Sequence, residues 1–239
     1  MHKQVISEEI EEELISFVET QCEKGRNGEL KKPTYLRASG VRSQGNQRES
    51  IMYGGFFDFN LARPGKRGLV PPFPPIVERL VDHLVSNNYL PSDVRPDSCI
   101  INKYGQGDCI PPHVDHPSYY RPISTLSLLG EEPMLVGSRF RTVRSCTWAP
   151  TCGLSVPLER RSLLVLGGNS GNIAKHCIRQ VRCATSKSSN INHANVTFHF
   201  VILCSQLFIS LLAVHAKVPE YRLRYESNPL QIGSRMRAN

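Results

Sequence analysis

His113 and Asp115, two residues with metal-binding side chains, stand one residue apart in the stretch CIINKYGQGDCIPPHVDHPSYYRPISTLSLL, Cys99–Leu129. On a strand, positions i and i+2 project to the same side, so this pair could chelate one ion. A bare His-x-Asp is common and decides little alone. A third candidate ligand is His176 in GNSGNIAKHCI, just after the apolar run SLLVLGG. Two imidazoles and one carboxylate on one face of an ion, with the opposite positions open, are the donor set of non-haem Fe(II) oxygenases. Their chemistry needs the open positions, because a bidentate 2-oxo acid and dioxygen must both reach the metal. Asn102 and Tyr104 repeat the same spacing on the preceding strand and could bring two more polar side chains into one cavity.

The elements that must position these residues are legible as pattern changes. SEEIEEELISFVETQCEKG predicts an amphipathic helix, with Ser7 as cap, Ile10, Leu14, Phe17 and Val18 as the apolar stripe, and Gly25 as the stop. Residues 26–50 are polar and read as a mobile loop. SIMYGGFFDFN reads as strands around a Gly-Gly turn. A second helix follows the proline-rich GLVPPFPP, with Ile76, Val77, Leu80, Val81, Leu84 and Val85 at helical spacing. From Ser98 to Ile178 short apolar runs alternate with turns, which predicts a mainly β sandwich or barrel with helices packed outside.

INKYGQGDCIPPHVDHPSYYRPISTLSLL followed by RRSLLVLGGNSGNIAKHCI resembles the AlkB-like Fe(II)/2-oxoglutarate dioxygenases. The resemblance is closest to the branch that removes N6-methyl groups from adenosine in RNA, including its plant members, and covers roughly Ile51–Val181. Asn-x-Tyr, a glycine-containing turn, His-x-Asp, RPI, the RRSLLVL strand and His-Cys-Ile arrive in family order. The resemblance implies a double-stranded β-helix (jelly-roll) core with flanking helices. It implies Fe(II) held by His113, Asp115 and His176, and 2-oxoglutarate contacted by Asn102 and Tyr104. Arg48 to Phe59 match the family's lid over the target nucleotide, with Arg48, Tyr53 and Phe57 as substrate-binding candidates. An unpaired base must enter an enclosed site, and such a lid can stack it and neutralise phosphate. The function implied is oxidative demethylation of N-methylated bases, with N6-methyladenosine in single-stranded RNA as the expected target; repair of alkylated bases is the enzymatic alternative.

The resemblance breaks after Val181. The family carries an arginine on the strand after the second histidine, where its planar fork pairs with the far carboxylate of 2-oxoglutarate. Here a valine–proline pair followed by an arginine occurs only in VPEYR, Val218–Arg222. Two accounts stay open: an insertion of about Arg182–Lys217 after which Arg222 becomes the anchor, or sequence foreign to the family beyond Val181. Both put the closing barrel strand in question, and the second leaves room for a catalytically impaired RNA-binding relative. The expected organisation is therefore residues 1–50 as helix and loop, 51–181 as the dioxygenase domain, and 182–239 as a divergent segment.

Size and composition agree with a globular chain. The 239 residues are 40% apolar and 21% charged, enough for one sizeable core. The net charge of +8 favours anionic partners without specifying which. Basic residues concentrate between Gly137 and Arg182 (Arg139, Arg141, Arg144, Arg160, Arg161, Lys175, Arg179, Arg182), a run that a solvated face would also produce. Eight cysteines with no C-x-x-C pair, and no signal peptide at the N-terminus, lead us to expect an intracellular protein of nucleus or cytoplasm, without structural zinc. The apolar run 196–214 has the length of a membrane span but contains His199 and Gln206; no stable membrane association is expected. A monomer is expected.

Overall fold

The computed structural model describes residues 1–37, 47–66, 68–93, 95–144, 147–180 and 195–203. Its elements in chain order are α1 (Glu8–Arg26), β1 (Tyr35–Arg37), β2 (Glu49–Tyr53), β3 (Phe57–Asp58), β4 (Arg63–Pro64), α2 (Pro75–Ser86), β5 (Ser98–Tyr104), β6 (Ile110–His113), β7 (Tyr119–Leu128), β8 (Met134–Arg144), β9 (Thr147–Val156), β10 (Ser162–Leu166), α3 (Gly168–Asn172), β11 (Lys175–Ile178) and β12 (Asn195–Leu203).

Two antiparallel sheets carry the architecture. The larger runs β1-β2-β5-β12-β7-β10 and the smaller β6-β11-β8-β9. From β5 onward the chain alternates between the two sheets, apart from the β8–β9 hairpin, and this winding is a double-stranded β-helix. Between the sheets lies an inner core of Tyr104, Met134, Val136, Leu158, Leu164, Leu166 and Ile178. A second apolar layer covers the outer face of the larger sheet, where α1 and α2 pack on Ile51, Cys99, Ile101, Leu126, Leu128 and Val196. From α2, Val77, Leu80, Val81 and Leu84 are fully buried. At about 1.5–3 kcal/mol each, they supply a gross 6–12 kcal/mol before ordering costs.

Both helices follow their patterns. Ser7 Oγ accepts from the Ile10 amide at 3.4 Å, and Leu14, Val18 and Cys22 form the buried stripe of α1. The acidic start of α1 is also used: Glu11 is fully buried, and its carboxylate accepts from the Leu129 amide at 3.0 Å and from Arg160 Nε at 2.7 Å. Arg161 pairs with Glu8 at 2.7 Å. Two members of the expected basic run thus fasten α1 to the barrel, whereas Arg139, Arg141 and Lys175 are exposed.

Two expectations change. Residues 26–50 are not loop throughout, because Tyr35–Arg37 pairs with Glu49–Ile51 as β1–β2. The Gly-Gly turn is as expected: Gly54 has φ +73°, and a Cβ there would stand 2.0 Å from the Asp97 carbonyl. The second change concerns the closing strand. Asn195–Leu203 lies between β5 and β7, antiparallel to both, so the chain does not wait until Val218 to return to the barrel. The run VTFHFVIL is apolar because a central strand of this sheet has packed layers on both faces. Val196 joins the outer core, and Thr197 stands opposite Asn102 in the register. Residues 204–239, including Arg222, lie outside the described residues, and among those described no helix is long and apolar enough to cross a membrane.

Candidate metal centre

The ladder of the smaller sheet brings the two histidines together. His176 on β11 stands directly opposite His113 on β6, and their ring centroids are 4.3 Å apart. β6 is an edge strand, which is why it tolerates Pro111 and Pro112. The GQGD turn that delivers it is held by Asp108, whose carboxylate accepts from the amides of Gly105 at 2.8 Å and Gln47 at 2.9 Å. Asp115 lies just beyond the end of β6 and completes the cluster. His113 Nε2 is 3.6 Å from Asp115 Oδ1, and His176 Nε2 is 3.4 Å from Asp115 Oδ2. Among the described residues these are the three side chains whose ligating atoms all lie within 4.8 Å of one another.

This donor set fits a divalent first-row metal. Ligand atoms about 2.1 Å from an ion and at right angles lie about 3 Å apart, close to the observed separations. His113 Nδ1 is 2.8 Å from the Pro111 carbonyl, which can only accept, so Nδ1 carries the proton. In the neutral ring Nε2 then presents its lone pair toward the cluster, as a metal ligand must. Cys177, next to His176, turns to the other side of β11 by strand alternation and is not part of the cluster; burial pushes its thiol up to about 11.

The cluster opens into a cavity of about 410 Å³. Asn102 lines its wall from β5. Its Oδ1 accepts from Ser50 Oγ at 2.8 Å and Arg48 Nε at 3.2 Å, which turns its amide donors away from those two groups. Tyr104, two residues on, is fully buried on the same inner side, in the core between the sheets. Arg48 lines the cavity and lies over the ring of Phe59, 5.4 Å from its centroid. Phe57, Phe59 and Tyr119 form an aromatic wall, with Phe57 5.3 Å from Phe59 and 5.8 Å from Tyr119. Burial, with help from Asp115 and Asp97, raises the Tyr119 phenol above its usual range, so it remains a protonated donor.

Tyr53 is a correction. It faces the helices, with its hydroxyl donating to Gln21 Oε1 at 3.2 Å and its ring against Phe17. Strand parity is the reason: on β2, Ser50 and Met52 pair with Asn102 and Ile100 on the inner side, so Ile51 and Tyr53 turn outward. Phe59, His116 and Tyr119 line the cavity without having been singled out from the sequence. The i, i+2 relation of Phe59 to Phe57 was the available signal.

The 2OG-Fe(II) oxygenase superfamily model matches residues 25–199. The chain belongs to this superfamily. For the oxygenase fold, a likeness to a solved prolyl hydroxylase from Trichoplax adhaerens, in complex with a hypoxia-inducible factor peptide, agrees: TM-score 0.51 at 10% identity, covering 89% of this chain and 86% of that one. Among curated relatives, the chain is 36% identical over 187 residues to RNA demethylase ALKBH9B of Arabidopsis thaliana, which is 76% of this chain and 36% of the relative. It is 31% identical to RNA demethylase ALKBH10B of the same plant, over 74% of this chain and 31% of the relative. To RNA demethylase ALKBH5 of Bos taurus it is 33% identical over 48% of this chain and 30% of the relative. It therefore spans about a third of the length of the curated relatives it matches. The superfamily implies Fe(II) and 2-oxoglutarate, and His113, Asp115 and His176 are the donors suited to that metal.

Proposed function

We propose that this oxygenase removes N-methyl groups from bases in single-stranded RNA by oxidative demethylation, with N6-methyladenosine as the substrate. The observation that carries the reading is the His113–Asp115–His176 cluster opening into a cavity walled by Phe57, Phe59 and Tyr119, in a chain whose relatives are RNA demethylases. When bound, Fe(II) with 2-oxoglutarate and dioxygen would supply oxidation of the methyl C–H bond to a hydroxymethyl group, which is shed as formaldehyde. The chain's own residues do the holding and orienting. His113 offers Nε2 with its proton fixed on Nδ1, and Asp115 offers a carboxylate between the two imidazoles. Asn102, oriented by Ser50 and Arg48, directs its amide donors to the co-substrate. A flipped-out base stacks on the aromatic wall, where the Arg48 guanidinium can meet phosphate or base.

A second reading is an RNA-binding relative without turnover. It is favoured by one fact: the closing strand NVTFHFVIL, Asn195–Leu203, holds no arginine to pair with the far carboxylate of 2-oxoglutarate. Repair of alkylated bases is a third arm of the same test. Formaldehyde release is measured on single-stranded RNA carrying N6-methyladenosine, on the same RNA carrying 1-methyladenine, and on unmethylated RNA. Release from the first, absent in Asp115→Asn, is expected. Release from the second alone would assign repair, and tight RNA binding with no release from either would favour the non-catalytic reading.

A further inference from the structure

The β11–β6 ladder sets His176 against His113, but it does not set Asp115. Strand β6 ends at His113, and residues 114–118 run outside any strand until β7 begins at Tyr119. Arg121, half-buried at the start of β7, reaches back over this segment between the strands. Its Nη2 donates to the Asp115 carbonyl at 2.8 Å, and its Nη1 to the carbonyls of His116 at 3.3 Å and Tyr119 at 2.5 Å. On the other side, Nε donates to the Gly171 carbonyl at 2.9 Å, in α3, the turn that leads into His176. That turn packs closely here: a Cβ on Gly171 would stand 2.8 Å from the Leu166 carbonyl and 3.4 Å from Arg121 Cδ.

We propose that Arg121 is the positioning residue of the metal site, a guanidinium clamp that fixes the backbone of Asp115 against the turn bearing His176. Four carbonyls from two segments converge on one planar fork. An ammonium has three donors from a single point and cannot span them. A guanidinium keeps its charge in proteins, so the clamp is cationic. With the clamp in place, the carboxylate that no strand holds is presented to the two imidazoles without being reordered each time a metal enters.

This inference rests on the metal-site reading, and one set of measurements separates the two. The full chain is titrated with Co(II), recording the dissociation constant and the visible d–d spectrum, for the unaltered protein, Arg121→Ala and Arg121→Lys. Arg121→Ala should bind Co(II) about 10–100-fold more weakly, the usual loss when an outer partner of a metal ligand is removed. Its spectrum should change, and millimolar guanidinium, but not urea, should restore both. Arg121→Lys should fall between the two. If Arg121→Ala keeps its affinity within about twofold and an unchanged spectrum, Arg121 does not position the site. Should near-UV circular dichroism show that Arg121→Ala does not fold, Arg121→Lys decides alone: weaker binding by a folded protein supports the clamp, and unchanged binding overturns it. Failure of the unaltered chain to bind Co(II) would sink the metal-site reading itself, and the inference with it.

Discussion

Replacing Glu11 should cost more stability than any other change in the acidic stretch of α1, and the structure gives the size. Both oxygens of this fully buried carboxylate are used, one by the Leu129 amide at 3.0 Å and one by Arg160 Nε at 2.7 Å. Glu11→Ala leaves the Leu129 N–H without its charged acceptor, a loss of about 1.5–3 kcal/mol. The Arg160 half is worth less, because that side chain is 44% exposed and water can take over its hydrogen bond. We allow about 1 kcal/mol there after screening. The sum, about 3 kcal/mol, is at the low end for breaking a buried ion pair. For a domain of roughly 200 residues it corresponds to a Tm lower by about 6–12 °C. Glu13 is the control, since its pair with Arg79 is 55% and 61% exposed on the two sides and should contribute under about 1 kcal/mol. Thermal melts of Glu11→Ala and Glu13→Ala under identical conditions test this. A Glu11→Ala midpoint within about 2 °C of the Glu13→Ala one would refute the idea that α1 is fastened by its buried carboxylate.

Asp115→Asn should lower divalent-metal affinity by at least about 100-fold, more than loss of an outer partner, while the far-UV spectrum stays native; calorimetric titration with Mn(II) checks it. Phe59→Ala should weaken binding of a methylated single-stranded RNA by about 1–3 kcal/mol, the scale of one base–aromatic stack. Tyr53→Phe should leave that binding unchanged in the same fluorescence-anisotropy assay, because its hydroxyl is spent on Gln21. Stability should fall on the alkaline side. Burial raises the thiols of Cys22 and Cys177 from 9.0 to about 12 and about 11, so the folded state holds protons that the unfolded chain releases. Their contribution is complete below about pH 9 and is lost as pH rises through those folded values. Urea midpoints between pH 8 and 11 should show the decline, and a flat profile would contradict the burial of these thiols.

How much of this was legible depended on whether the signal was local. His113 and His176 were readable because strand periodicity and two apolar runs mark the elements that carry them, whereas Asp115, expected beside His113 on one strand, stands just beyond the end of β6. Helices α1 and α2 were readable for the same reason at helical spacing. Tyr53 was misread because one residue of parity decides between cavity and core, and parity on β2 is set by its partner β5, not by its own sequence. The strand Tyr35–Arg37 sits in polar sequence because it is a sheet edge, half exposed, with little apolar pattern to show. Arg121 was visible only as part of a motif. Its work consists of hydrogen bonds to main-chain carbonyls, which leave no trace in residue types.

The closing strand shows where sequence pattern and barrel geometry part company. A continuous apolar run reads equally as a membrane span, a foreign insert or a strand packed on both faces, and only pairing partners distinguish these. Here the partners are Asn102 and Ser127 for Thr197, and Ile100 and Thr125 for His199. These neighbours place β12 in the middle of the larger sheet, between β5 and β7. A strand at that position is where a superfamily member would present a guanidinium to its dicarboxylate co-substrate, yet Asn195–Leu203 contains none. Among the described residues lining the cavity, the guanidinium is that of Arg48, already bonded to the Asn102 side chain. The two halves of the site therefore stand differently. The metal half is a complete set of three donors fixed by a ladder and a clamp. On the cavity wall beside it stand Asn102 and Arg48, hydrogen-bonded to each other, and 2-oxoglutarate affinity, measured separately from metal affinity, is the quantity that divides an active demethylase from a binding relative.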